Sequence, residues 1–258
     1  MIRVVISGTG RMGSTVYNAI TSTDDMEVVG VLDPIDINFN VPEEIASHND
    51  AEQLFELVKP DVVVDFTNTE AMPKLIEAVL NHNVRPVIGT SGITPKTLEY
   101  LQDGLSKKNL GGVVASNFAI GAVMLMHFSQ LASKYFDSAE IIELHHDKKV
   151  DAPSGTALTT AEKMRDSRDS DFINNTPEIT HIENTRGGLL NGISIHSIRL
   201  PGLVAHQEVI FGSEGQTFSL RHDSTGLDSF MPGVIMSVRE VMKHDVFFNG
   251  LDSLFGLK

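Results

Sequence analysis

The chain has 258 residues, 41% of them hydrophobic and 21% charged, the balance of an ordinary globular protein with room for one large domain or two smaller ones. Its 34 acidic residues outnumber 20 basic ones, a net charge of −14 that disfavours nucleic acid and anionic membrane as partners. No apolar run is long enough to span a bilayer, the N-terminus lacks a signal-peptide layout, and cysteine is absent, which removes disulfides and thiolate chemistry and agrees with a cytoplasmic location.

The chain opens on a short apolar strand, Ile2 to Ile6, followed by Gly8-Thr-Gly-Arg-Met-Gly13. Met12, Val16, Ala19 and Ile20 then keep helical spacing to about Ser22. A second strand, Met26 to Leu32, ends in Asp33, 20 residues past Gly13. Strand, glycine turn, helix, strand and acid together form the dinucleotide-binding pattern. The glycines let the backbone approach a pyrophosphate, the helix N-terminus faces its charge, and the acid can bond the ribose hydroxyls. A carboxylate at Asp33 favours NAD over NADP, while Arg3 and Arg11 could bring positive charge nearby.

Residues 34 to 50 are polar and read as a loop. Ala51 to Val58 reads as a helix, Asp61 to Phe66 as a buried strand, Thr69 to Leu80 as a helix and Pro86 to Gly92 as a strand entering a polar turn. A helix from Thr94 and a strand from Gly112 to Ala115 complete the series. This alternation predicts a Rossmann-type, doubly wound parallel sheet. Its strand ends would gather Gly8–Gly13, Asp33, Phe66-Thr67, Gly89–Gly92 and Ala115–Phe118.

After that the rhythm changes. Gly121 to Tyr135 is a Met- and Leu-rich helix whose stripe reads as packing. Ala139 to Leu144 is a strand, a helix runs from Thr156 to about Arg165, and residues 166 to 180 suit a loop or disorder. Arg186-Gly-Gly188 reads as a turn. Ile193–Leu200, His206–Phe211 and Gln216–His222 alternate like strands of an open, mixed sheet with one exposed face. Phe230 to Met242 and the tail Phe247 to Phe255 return to helical spacing. The class is α/β, with a second, α+β domain. Residues 1–118 and 228–258 are expected to bind the dinucleotide, and 119–227 to bind substrate and form oligomer contacts.

The densest chemistry lies in Glu143-Leu-His-His-Asp-Lys-Lys-Val-Asp-Ala-Pro-Ser-Gly-Thr-Ala157. Strand neighbours point to opposite faces, so His145 and His146 are expected to differ in role, one moving a proton and the other contacting substrate. Lys149 could hold a carboxylate or donate a proton. Ser154-Gly-Thr156 resembles an anion cradle at a helix start. A plainer reading makes Lys148 and Lys149 a solvated pair and each histidine structural; the clustering beside an anion cradle favours function. Glu143, His145, His146 and Asp147 match no zinc spacing and the lysines oppose a cation, so no metal is expected. Ser154 lacks the nucleophile-elbow pattern.

These residues make the sequence resemble the 4-hydroxy-tetrahydrodipicolinate reductase (dihydrodipicolinate reductase) family over nearly its whole length. The carrying segments are Gly8–Gly13, Asp61–Thr67, Gly89–Gly92, Ala115–Phe118 and, most specifically, Glu143–Ala157, with Arg186–Gly188 and Arg199–Phe211 also similar. The resemblance implies NADH or NADPH held by Gly8, Thr9, Gly10, Arg11, Met12, Gly13, Asp33, Gly89, Thr90, Ser91, Ala115, Ser116, Asn117 and Phe118. It implies His145 as proton donor or acceptor and Lys149 as proton donor, with His146, Gly155 and Thr156 on a small cyclic dicarboxylate. It further implies hydride delivery to C4, loss of the 4-hydroxyl as water, a place in the diaminopimelate route to lysine, and a homotetramer joined through the second domain's sheets. The chain departs from the family where Asp147 and Lys148 replace a frequent Arg and His, where Ser7 or Thr9 takes the place of an extra Gly, and where Gly-Thr-Ser-Gly replaces Gly-Thr-Thr-Gly. Asp33 weakens a case for strict NADP use and makes dual use the expectation. A Rossmann dehydrogenase for another dicarboxylate and a nucleotide sensor without catalysis are the competing readings. Neither needs the His-His…Lys…Ser-Gly-Thr cluster in this order.

Overall fold

The apolar run Ile2–Ser7 forms β1, the strand on which the first sheet is built in the computed structural model of the chain. The structure describes residues 1–33, 35 and 41–257. From β1 the chain continues through α1 (Arg11–Thr21), β2 (Met26–Leu32), β3 (Ala46–His48), α2 (Ala51–Val58), β4 (Val62–Asp65), α3 (Met72–His82), β5 (Arg85–Ile88), α4 (Pro95–Lys108) and β6 (Gly112–Val114). Then follow α5 (Ile120–Ala132), β7 (Ser138–His145), α6 (Gly155–Asp166), β8 (Gly188–Leu190), β9 (Ile193–Arg199), β10 (Ala205–Ser213) and β11 (Gln216–Ser224). The chain closes with α7 (Met231–Lys243), β12 (Phe247–Asn249) and α8 (Leu251–Leu254). Two compact units result, Met1–Ile120 with Leu227–Lys258, and Gly121–Gly226.

The first unit holds a seven-stranded sheet in the order β12-β6-β5-β4-β1-β2-β3, parallel throughout. The order reverses direction at β1, the topological switch point of a Rossmann-type sheet. Its strands are nearly continuous in Val and Ile because helices cover both faces. On one face Val5, Val63 and Ile88 pack with Phe55, Ile76, Val79, Leu101 and Leu105 of α2, α3 and α4. Val16 and Ile20 of α1 and Val234, Val238 and Val241 of α7 are also buried, and these two helices touch each other. Local chemistry sets the helix ends. Thr94 caps α4, its Oγ1 accepting from the Thr97 N–H at 3.2 Å, with Pro95 next in line. Thr94→Ala is expected to lower stability by about 1 kcal/mol in urea denaturation.

The second unit holds a five-stranded mixed sheet in the order β11-β10-β7-β9-β8. Only the β7–β9 pair is parallel. One face carries Ala139, Ile141, Ile195, Val209 and Phe211 against Leu125 of α5 and Ala157, Ala161 and Met164 of α6. The opposite face shows half-buried Ile142, Leu144, Ile198 and Ile210.

Both expected sheets are present, with local differences in the 34–50 stretch, in the tail, and at Gly188–Leu190, which pairs with β9 as β8. The polar stretch 34–50 contains β3, whose three residues are too few for a periodic signal; positions 34 and 36–40 of that stretch lie outside the described residues. The tail 247–255 is β12, a turn at Gly250 (φ +90) and the short α8, because Phe247 and Phe248 extend the sheet beside β6. Residues 167–180 carry no helix or strand, as the loop reading expects, and they are anchored. Phe172 is buried in the second core, the Ile173 N–H donates to the Asp137 carbonyl at 2.9 Å, and the Arg168 guanidinium stacks 3.9 Å over the Phe172 ring. No described helix is long and apolar enough to cross a membrane.

Candidate active site

Because the first sheet is parallel, the carboxyl ends of β2, β1, β4, β5 and β6 lie along one edge in that order. Gly8–Gly13, Asp33, Phe66-Thr67, Gly89–Ser91 and Ala115–Phe118 follow those ends and are brought together there. Gly8 has φ +95, and a Cβ on it would sit 2.6 Å from the Phe66 carbonyl oxygen. A Cβ on Gly13 would come within 1.8 Å of the Gly8 carbonyl oxygen. At Gly10, by contrast, a Cβ would meet no described residue within 4 Å, and no described side chain caps α1. Among the described residues the start of α1 is therefore open at Gly10, and a helix N-terminus of this kind can accept an anion. Two strand ends over, a Cβ on Gly89 would strike the Phe66 ring at 2.0 Å.

Asp33 braces this turn. Its Oδ2 accepts from the Thr9 N–H at 2.7 Å and the Thr9 hydroxyl at 2.6 Å, and its Oδ1 accepts from the Ile35 N–H at 3.0 Å. Arg11 is exposed at the first position of α1. Arg3 instead sits at the amino end of β1, the far end of the strand, and its guanidinium bonds Glu27 and the Val58 carbonyl. Strand polarity removes it from the nucleotide edge.

Several expected cofactor residues are internal supports as the structure places them. Phe118 is buried with its ring 5.7 Å from that of Phe66, and Ala115 is buried, so both offer a ligand main chain rather than side chain. The Thr90 hydroxyl donates to Asp65 at 2.6 Å and accepts from the Thr67 N–H at 2.9 Å. Asp65 is wholly buried at the end of β4 and also accepts from the Thr67 hydroxyl at 2.8 Å. Burial pushes its carboxyl above the usual range against the pull of Thr90, Ser7 and Thr67. Ser116 is exposed, and the Asn117 side chain is turned inward to accept from the Ala119 N–H. A cavity of about 290 Å³ opens at the ends of β1 and β2, lined by Ser7, Leu32, Ala51, Ala71, Lys74 and Leu75. Its residues come from four separate elements, and no local motif marks them.

The second unit gathers the other set. His145 ends β7, residues 146–153 form a loop with a cis Ala152–Pro153 bond, and Ser154 caps α6 by accepting from the Ala157 N–H at 3.2 Å. His146 and Gly155 are exposed and Thr156 half-buried, with open space where a Gly155 Cβ would stand. Lys149 Nζ donates to Asp151 Oδ1 at 2.7 Å. His145, His146, Lys149, Gly155 and Thr156 are thus held by one strand end, one loop and one helix start.

Glu143 and Arg199 complete this set, and neither was singled out as a site residue from sequence. Glu143 is fully buried on the same face of β7 as His145, and β9 places Arg199 opposite His145. The Arg199 fork donates to Glu143 Oε2 at 2.9 Å and Oε1 at 2.8 Å. His145 Nδ1 lies 2.5 Å from Glu143 Oε2. Arg199 also donates to the Asp151 carbonyl at 2.8 Å, tying the loop to the strand. Burial raises the Glu143 carboxyl, but hydrogen bonds from Arg199, Ser197 and His145 outweigh it and leave the group below the usual carboxylate range. Burial lowers the His145 imidazole, Glu143 opposes this, and the charges of Lys149 and Arg199 add to it; the net position is below the ordinary histidine value. At neutral pH the ring is mostly neutral, with one nitrogen free to take a proton.

Comparison with known proteins gives a consistent result over both units. The family model for the N-terminus of dihydrodipicolinate reductase matches residues 2–118, and the model for its C-terminus matches residues 121–254. A protein from Bacillus velezensis named 4-hydroxy-tetrahydrodipicolinate reductase is 46% identical, with 98% of this chain and 97% of that one covered. One of the same name from Listeria innocua is 44% identical, covering 98% and 99%. Among solved structures, dipicolinate-bound dihydrodipicolinate reductase from Paenisporosarcina sp. TG-14 superposes with a TM-score of 0.92 at 43% identity, covering 98% of this chain and 99% of that one.

Proposed function

The chain belongs to the dihydrodipicolinate reductase family, and from that premise we propose which of its residues carry the reaction. It is an oxidoreductase that reduces 4-hydroxy-tetrahydrodipicolinate to tetrahydrodipicolinate, with loss of water, in the diaminopimelate route to lysine. Its nucleotide cofactor is held by the Rossmann-type unit. When bound, the reduced nicotinamide supplies a hydride to C4 of the substrate ring.

The observation that carries the residue assignment is the cluster at the end of β7, where His145, Lys149 and the open start of α6 converge. The substrate is a cyclic dicarboxylate, and dipicolinate, bound in the Paenisporosarcina relative, is also one. His146, Gly155 and Thr156 grip its carboxylates, using the exposed first residue of α6. Lys149 leaves Asp151 to donate the proton with which the 4-hydroxyl departs as water, and His145 exchanges a proton with the substrate. Residues 119–227 are accordingly the substrate-binding and oligomerisation domain. Residues 1–118 and 228–258 form the dinucleotide domain, with Gly8–Gly13 against the pyrophosphate, Asp33 against the ribose, and the strand-end segments 89–91 and 115–118 toward the nicotinamide. The cavity beside Ser7, Leu32 and Leu75 suits an adenine ring. The test is consumption of NADH and of NADPH with substrate freshly made from pyruvate and aspartate semialdehyde. Oxidation of neither would overturn the assignment.

Both cofactors serve, in this reading. The Asp33 carboxylate bonds Thr9 and Ile35 at the ribose position, while exposed Arg11 brings a cation into the same glycine turn. Asp33→Asn keeps an acceptor for Thr9 and removes the repulsion of a 2′-phosphate. The ratio of kcat/KM for NADPH over NADH is expected to rise roughly tenfold, equivalent to about 1.4 kcal/mol. An unchanged ratio would refute the role of Asp33.

The protein assembles as a homotetramer through the second sheet. The support is its outer face, where Ile142, Leu144, Ile198 and Ile210 form a half-buried apolar row. Light scattering on the purified protein tests this, and a monomer at micromolar concentration would reject it.

A further inference from the structure

We propose that Glu143 is a positioning residue: its carboxylate fixes the His145 ring with the proton on Nδ1, so that Nε2 is the atom that exchanges a proton with the substrate. The inference rests on the reading of His145 as the proton-exchanging group.

Glu143 itself cannot meet the substrate, since its side chain is wholly buried. A buried carboxylate costs several kcal/mol unless paired, and Arg199 pairs it in a two-pronged fork. That fork alone would satisfy the charge. Yet Oε2 carries a second, shorter contact, 2.5 Å to His145 Nδ1, and Oε1 accepts from the Ser154 N–H at 3.3 Å. One carboxylate is thus joined to three parts of the substrate set: the β7 end, the start of α6, and, through Arg199, the 151 loop carbonyl.

The chemistry follows from the acceptor. A neutral imidazole has one N–H and one lone pair, and a carboxylate at Nδ1 makes that nitrogen the N–H. The lone pair is then on Nε2, on the side of the ring away from Glu143. When Nε2 takes a proton, the imidazolium lies against a fixed anion; when it gives the proton up, the ring returns to the same tautomer without turning. The charged groups set against the pair are Arg199 from β9 and Lys149 and Asp151 from the loop. From β10 the paired residues are Ala205 and Gln207, which carry no charge.

Two variants test this. Glu143→Gln removes the charge and keeps an acceptor. Glu143→Met combined with Arg199→Met removes the ion pair together, a replacement buried pairs often tolerate when a single loss is not. The readouts are nitrogen-detected NMR of the His145 ring in substrate-free enzyme and the pH profile of kcat/KM. In the unaltered enzyme the Nδ1–H tautomer is expected. In the double variant the ring should shift to the Nε2–H form, with kcat lower by about tenfold or more and substrate KM changed less. In Glu143→Gln the limb of the profile that disappears in His145→Ala should move to lower pH, since the carboxylate that favours the imidazolium is gone. A folded double variant that keeps the Nδ1–H tautomer, or an unmoved limb in Glu143→Gln, overturns the positioning role. Full turnover in His145→Ala instead overturns the reading of His145, whatever the tautomer.

Discussion

His145→Ala and Lys149→Ala should each lower kcat by roughly 10²–10⁴-fold, the usual yield of a placed general acid or base, while the dissociation constant for the nicotinamide cofactor stays within about twofold. The two residues lie together in the second unit, and the glycine turn lies in the first. Neither change opens a core. His145 keeps only a small exposed fraction, but its partner Glu143 retains the Arg199 fork, so the buried carboxylate stays compensated. Lys149 is paired with exposed Asp151, a contact of little value to stability. Stopped-flow turnover with fluorescence titration of the reduced cofactor separates the two quantities. Full turnover in either variant removes that residue from the mechanism, and a parallel loss of cofactor affinity would point to misfolding instead.

The second large effect is expected in the glycine turn, where two substitutions by the same residue should behave differently. Gly13→Ala pushes a methyl group to 1.8 Å from the Gly8 carbonyl oxygen, a backbone atom that cannot step aside alone. The turn must shift, costing about 1–3 kcal/mol of stability and raising the cofactor dissociation constant at least about tenfold. Gly10→Ala meets no described residue within 4 Å and has an ordinary negative φ, so the fold should be unaffected. Its methyl group would occupy the space above the open end of α1, and cofactor affinity should still fall about tenfold. Thermal denaturation alongside cofactor titration distinguishes the pair. Undiminished affinity in Gly10→Ala would move the pyrophosphate elsewhere.

The parts legible in the sequence were those with local, dense signals. Gly8–Gly13 and Asp33 sit in one strand–helix–strand unit, so spacing alone predicted their meeting. Ala51–Val58 is helical to the residue, with Asp50 capping it through the Gln53 N–H. The Glu143–Ala157 cluster was visible because its members are contiguous. Less was legible where three residues make a strand, as in β3 and β12. Arg3 shows a different limit: a positive charge near a motif in sequence lies at the wrong end of a strand. Glu143 was within reach, since alternate residues of a strand share a face and that rule pairs it with His145. Arg199 was not, because it follows 56 residues later and only the register of β7 with β9 brings it in.

The first sheet is interrupted in sequence by the whole second unit, and this orders its birth on the ribosome. β6 emerges with a bare edge, and α7, whose buried Val234, Val238 and Val241 belong to the first unit, does not yet exist. Residues 121–226 are continuous and can close their own core during synthesis, at about 5–20 residues per second, while the nucleotide unit waits half-built. Only when β12 pairs with β6 and α7 docks is the edge of β6 covered, leaving the three-residue β12 as the outer strand. The His145–Thr156 cluster is therefore made before the first sheet is complete, and a chain cut short after Gly226 would carry it together with an unfinished, aggregation-prone sheet.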